Sequence, residues 1–256
     1  MYRLFIATTY LVGALFLLTF LSFVFSISPQ KLVKEFLSQE VLFALKFTLL
    51  TALIATLITL PLAVILGYSL ARFQFPFKKL LKVTVDLPMA FPELLTGFLL
   101  LVMFSGLLKP LTTIFNPVFS PSGVVLAEIA VSLPFASRIV YTTFKQIDKR
   151  YEMVSRSLGY SFVETFLKVS LPMAKGGLIS ATVVTFARSF GAFGAVLILG
   201  GGVYMKTETL PVGIFLNISY GNLDRAVAMG VVLMAVSFIT VWIIELFQKE
   251  GEDSRF

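Results

Sequence analysis

The residues with the clearest chemical meaning in this chain are ionised groups set in apolar sequence: Asp86, Glu93, Glu128, Arg138 and Arg188. At the centre of a membrane helix each would cost about 2.5–3.5 kcal/mol on insertion scales, so each calls for a partner or a function. A second feature is the run 200–207, Gly-Gly-Gly-Val-Tyr-Met-Lys-Thr, which comes close to the G-x-x-x-x-G-K-[ST] phosphate cradle. Met205 stands where that pattern needs its second glycine, and the run follows an apolar segment rather than a strand. It therefore reads as a flexible exit from a span. The chain has no cysteine and no histidine. That excludes a disulfide framework, ordinary zinc, haem and iron–sulfur ligand sets, and His-dependent triads. The fourteen acids show no D-x-D cluster, so no metal site is expected.

Counting residues inward from the ends of the apolar runs places Glu93 and Arg138 at similar depth, which predicts a structural ion pair between them. Arg188 falls about a dozen residues into its run, near the midplane, with Glu128 the carboxylate at its depth. Asp86, beside Pro88, is expected to cap the third span.

The elements that carry these residues are long and apolar. Apolar side chains make up 57% of the 256 residues and charged ones 14%, and the mean hydropathy is +0.93, outside the range of soluble domains. Six runs are long enough to span a bilayer: 4–27, 41–71, 83–108, 123–144, 177–199 and 226–247. The runs are continuous rather than alternating, which excludes a membrane β-barrel. The expected fold is an all-α membrane protein of about six helices, a single transmembrane domain over 1–256. The first run could be read as a signal peptide, with Arg3 before it and Ser26-Ile27-Ser28 at its end, but it exceeds the usual apolar length of such segments, so an uncleaved helix is expected. The second run is too long for one perpendicular crossing and contains Pro61, which predicts a tilt or kink. Ala187, Gly191 and Ala195 lie four apart in the fifth run, a small-residue face for close helix packing.

The net charge of +7 has an explanation that needs no nucleic acid. Thirteen Lys and Arg (Arg3, Arg72, Lys78, Lys79, Lys82, Lys145, Lys149, Arg150, Arg156, Lys168, Lys175, Lys249, Arg255) fall in connectors of one side, and five (Lys31, Lys34, Lys109, Lys206, Arg225) in those of the other. Positive charge is retained in the cytoplasm, so both termini of this multi-pass membrane protein are expected there.

The one long polar connector, 145–175, carries the most specific pattern. Ile147, Tyr151, Val154 and Leu158 recur at helical spacing, and Gly159 follows where a helix end wants a left-handed residue. Ser161-Phe162-Val163-Glu164 is a capping box that opens a second short helix, with Phe162, Phe166 and Val169 as its apolar face. Leu171-Pro172 is expected to break it. The product is a helix–Gly–helix corner on the cytoplasmic side, either a docking knob for another protein or an amphipathic element lying on lipid headgroups.

The run from Glu152 to Gly159, followed by Val169-Ser170-Leu171-Pro172, resembles the EAA loop of permease subunits of ABC importers. Val154 and Ser155 stand at the alanine positions, and Glu152 lies one residue early, a shift common among oxyanion permeases. Leu87-Pro88-Met89-Ala90-Phe91-Pro92 is part of the same resemblance. Residues 186–194, Phe-Ala-Arg-Ser-Phe-Gly-Ala-Phe-Gly, are similar to the F-A-R-x-x-G-E-F-G segment of molybdate, tungstate and sulfate permeases, with Ala192 in place of the acid. Thr209-Leu210-Pro211-Val212-Gly213 resembles the molybdate and tungstate permeases, whereas Lys206-Thr207-Glu208 would suit a sulfate permease.

The resemblance implies a type I importer permease of about six helices. It implies a homodimer of this chain, two ATP-binding cassette subunits holding ATP and Mg, an external substrate-binding protein, and no cofactor in this chain. Glu152, Ser155, Leu158, Gly159, Leu171 and Pro172 would form the ATPase-coupling site. Arg188, Gly191 and Gly194 are the substrate-pathway candidates. The substrate reading is molybdate or tungstate, with sulfate or another oxyanion as the alternative. Of other classes, an ion-coupled secondary transporter would show inverted repeats, which the halves do not display. An intramembrane enzyme would need a nucleophile–base spacing that is absent.

Overall fold

The computed structural model describes the backbone of residues 1–253 and side-chain surroundings as far as Trp242. Arg255 lies outside the described residues, as does the side chain of Lys249. In chain order the helices are α1 (Tyr2–Val24), α2 (Pro29–Phe36), α3 (Gln39–Arg72), α4 (Lys78–Asp86), α5 (Glu93–Ser105), α6 (Pro121–Gln146), α7 (Arg150–Ser157), α8 (Phe162–Thr165), α9 (Leu171–Met173), α10 (Lys175–Phe190), α11 (Gly194–Gly200), α12 (Leu210–Ser219) and α13 (Leu223–Asp253). A π-helical turn, Phe166–Ser170, joins α8 to α9.

Among the described residues four helices are long and apolar enough to cross a membrane: α1, α3, α6 and the first 20 residues of α13. The expected third and fifth spans are not single helices. The third bends by 115° between Lys78–Met89 and Glu93–Ser105. Pro88 and Pro92 lack the amides a continuing helix would need, and each disfavours a helical residue before it. The fifth, 177–199, is broken between α10 and α11, and a further 74° bend lies just before it at Ala174, where Phe162–Met173 meets Lys175–Phe190. Leu171-Pro172 does not itself end the helix, which runs on to Met173. Asp86 is the last residue of α4 and makes no capping bond.

The centre of the bundle is α3 packed on α6, with α10 against both. Small residues let them approach. Ala52, Ala55 and Ala63 of α3, Ala127 and Ala136 of α6 and Ala181 of α10 are wholly buried. A Cβ on Gly67 would come within 2.6 Å of Val140, and one on Gly97 within 2.7 Å of Ala195. This is the packing expected where lipid offers no hydrophobic drive between helices. The predicted Ala187-Gly191-Ala195 face does not exist as one surface, because the chain breaks at Gly191: Ala187 is half-buried, Gly191 exposed and Ala195 buried on another segment. Pro61 lies inside the 34-residue α3, which at 1.5 Å per residue is about 51 Å long, well beyond a bilayer's apolar thickness. No residue of α1 is buried; it meets the bundle along α13, where Phe23 lies on Gly230.

Candidate functional site

The corner between α6 and α10 is tied to the bundle by one buried arginine. Arg72, at the end of α3, donates from Nε to Glu152 Oε1 at 2.8 Å and from Nη2 to the Ile147 carbonyl at 3.1 Å. Ser170 donates to the same Glu152 oxygen at 2.8 Å. The side chains of Arg72 and Glu152 are 4% and 15% exposed, so water screens the pair little. Ser155 is buried and shares a 3.1 Å hydroxyl bond with Thr165, joining α7 to α8. Beneath the corner Tyr68 stacks edge-on against Phe144 and Phe166, at 4.9 and 4.8 Å between ring centres.

The turn has the local structure that the sequence predicts. Gly159 has φ +93°, and the Ser161–Glu164 capping box is formed in both directions, at 3.3 Å to the Glu164 amide and 3.0 Å to the Ser161 amide. Those bonds, with Lys168, hold the Glu164 carboxyl below its ordinary value. The outer face is apolar and unpartnered: Leu158 is 75% exposed, Val154 and Val163 59% each. Of the six predicted coupling residues, Glu152 and Ser155 fasten the corner, Leu158 and Gly159 form its tip, Leu171 is half-buried and Pro172 exposed. Arg72, Tyr68, Thr165 and Ser170 were not predicted. Arg72 could have been noticed as the basic residue closing the span that leads toward this connector.

The charged groups within the spans pair differently from expectation. Glu93 bonds not to Arg138 but to Arg188, Oε1 to Nη2 at 3.2 Å, and its other oxygen accepts from the Phe193 amide at 3.1 Å. Depth counted along straight helices fails because the 115° bend carries the start of α5 across to the break after α10. The Arg188 guanidinium also lies over the Phe135 ring, 4.3 Å from its centre. Arg138 is exposed. Glu128 is wholly buried and receives Thr51 at 2.8 Å. Among the predicted pathway residues, Gly191 is exposed at the end of α10. Gly194 is buried against α5, where a Cβ would come within 2.7 Å of the Leu94 nitrogen, so it serves close packing.

At the end of the bundle opposite the corner lies a second polar cluster that sequence reasoning missed. Arg225 binds Glu35 at 2.8 Å and Glu40 at 2.7 Å, Asn217 donates to Glu40 at 2.7 Å, and Lys31 pairs with Asp224 at 2.8 Å. Glu208, in the connector before α12, is buried beside them, and burial together with the Glu40 carboxylate pushes it up to about 7. A cavity of about 350 Å³ opens here between Glu40, Tyr204, Glu208 and Arg225. The glycine-rich run is closed on itself: Thr207 donates to the Gly200 carbonyl at 2.8 Å and accepts from the Val203 amide at 2.9 Å. Those groups are spent within the loop, in keeping with the reading that it is no phosphate cradle.

A bundle of crossing and broken apolar helices with this helix–Gly–helix corner is the type I ABC importer permease fold. A chain of the solved bacterial alginate ABC transporter, in complex with its alginate-bound periplasmic protein, superposes with a TM-score of 0.70 at 17% identity, covering 93% of this chain and 94% of that one. The chain belongs to the family of binding-protein-dependent transport system inner membrane components, whose pattern matches residues 60–250. Among relatives, the molybdate/tungstate transport system permease protein WtpB of Methanocaldococcus jannaschii is 32% identical over 92% of this chain and 94% of its own length. A probable sulfate transport system permease protein of Marchantia polymorpha is 34% identical over 85% of this chain and 77% of its own.

Proposed function

We propose that this chain is the membrane-spanning subunit of an ATP-driven importer of molybdate or tungstate. Two copies form the pathway, two ATPase subunits bind the 152–172 corner from the cytoplasm, and an external binding protein delivers the anion. The observation that carries the coupling reading is the fastened corner with its bare apolar tip: Arg72, Glu152 and Ser170 make it rigid with α3, while Val154, Leu158 and Val163 stand exposed among the described residues. A rigid lever with an unpartnered end transmits a push. ATPase closure would move it and swing the bundle between inward-open and outward-open states.

The substrate reading rests on the WtpB relative and on the Thr209–Gly213 segment. The sulfate alternative has its own support in a relative of comparable identity. Uptake of radiolabelled molybdate, tungstate and sulfate by the reconstituted complex with its binding protein decides between them. The expected result is uptake of the first two in preference to the third; transport of sulfate alone would reverse the assignment.

A further inference from the structure

Arg188 and the Phe193 amide are two donors turned toward one place, the break between α10 and α11, and a single carboxylate occupies both. Glu93 gives one oxygen to each, at 3.2 and 3.1 Å. An edge of a tetrahedral oxyanion presents two oxygens in the same manner as a carboxylate and takes the same donors. The guanidinium is not used up: Arg188 Nε is buried with no partner among the described residues, and the side chain is still 39% exposed. The position is held firmly from both sides. Gly194 lies so close to α5 that a Cβ would come within 2.7 Å of the Leu94 nitrogen, and Ala195 meets Gly97 in the same way. The break before α5 and the break after α10 therefore meet at this carboxylate. Ala192 stands where the similar F-A-R-x-x-G-E-F-G segment has its acid, and the carboxylate beside Arg188 in this chain comes from another helix.

We propose that Arg188 and the Phe193 amide form an oxyanion seat in the pathway, and that Glu93 is a built-in carboxylate stand-in that fills the seat until the transported anion displaces it. This rests on the oxyanion-importer reading and adds a specificity device to it. With Glu93 in place the Arg188 charge is paired while the seat holds no substrate. The passing dianion must compete with a tethered anion, so it is held weakly and released. Selectivity for charge and shape is then set in the membrane as well as outside it.

The test is equilibrium binding of radiolabelled molybdate, tungstate and sulfate to the purified permease–ATPase complex without its binding protein. Glu93→Gln keeps the side chain's shape and an acceptor for the Phe193 amide but removes the competing charge. It should bind at least one of these anions roughly tenfold or more tighter than the wild type, as expected when a charged hydrogen-bond competitor is removed. Adding Arg188→Gln to it should abolish the gain. Glu93→Ala, which empties the seat, should show the same gain and serves if the glutamine variant assembles poorly. Unchanged affinity for all three anions in both Glu93 variants overturns the proposal, as does a gain that survives Arg188→Gln. Binding is read without uptake, so a wild-type complex that transports none of the three would remove the substrate reading and still leave the seat to be judged by these variants.

Discussion

Gly159 and Glu208 each place a testable demand on a single residue. A Cβ at Gly159 would meet nothing within 4 Å, so a substitution there is opposed by its φ of +93° alone. For a residue with a Cβ that conformation costs about 1–2 kcal/mol, too little to unfold the chain and enough to tilt α8 against α7. Gly159→Val is expected to insert and assemble normally while ATP hydrolysis in the reconstituted complex no longer drives import. Vesicles transporting at the normal rate would refute the lever. Glu208 makes a different demand. Its carboxyl, raised to about 7 in the folded chain, keeps a proton that the unfolded chain has lost above about 4.5. The folded state thus binds more protons in that window. Its stabilising contribution is complete below about pH 4.5 and is lost as pH rises through about 7. The thermal midpoint of the purified complex should therefore fall across that range, and Glu208→Gln, which cannot ionise, should flatten the slope.

Between elements, the joint at Arg72 decides whether the corner moves with the bundle. One guanidinium holds the end of α6 through the Ile147 carbonyl and the start of α7 through Glu152, whose oxygen also receives Ser170 at the foot of α9. Removing one partner of such a buried pair leaves the other charge unpaired, at a cost of about 3–5 kcal/mol, whereas removing both costs less. Arg72→Met and Glu152→Gln should each lower the thermal midpoint and raise the ATP hydrolysed per anion imported, and the double variant should be more stable than Arg72→Met alone. Additive losses would show that the pair is not a joint. The corner was legible in the sequence because its signals are local: a C-cap glycine and a capping box act within four residues. The ends of α3, α6 and the first part of α13 were legible from apolar length alone. The breaks were not, because an apolar count cannot see a bend. A sign of them was present: Leu-Pro-Met-Ala occurs at 87–90 and again at 171–174, and the chain turns sharply just after each. The partners of Glu93 and Arg225 were illegible for the same reason, since both pairings follow from where bent or distant helices bring their ends.

At the scale of the whole molecule, contacts place five of the basic residues, three at one end of the bundle and two at the other. Lys82 and Lys145 both lie over the ring of Tyr141, at 4.2 and 5.7 Å from its centre, and Arg72 reaches Glu152, so these connectors share one end of the bundle. Lys31 and Arg225 pair with Asp224, Glu35 and Glu40 at the other. Which end faces the cytoplasm follows, in the proposed arrangement, from retention of positive charge on that side. The corner must then be inside, where ATP is, and the connector 201–209 outside, where a binding protein would dock. The chain has no cysteine, so a single introduced thiol reports its own position without background. Lys168 and Lys206 are both exposed, one on the corner and one on the opposite connector, and neither is buried by its replacement. In intact cells Lys206→Cys should react with a membrane-impermeant thiol reagent, whereas Lys168→Cys should react only after the membrane is opened. The reverse pattern would place the corner outside, away from any ATPase, and would remove the coupling reading together with the orientation.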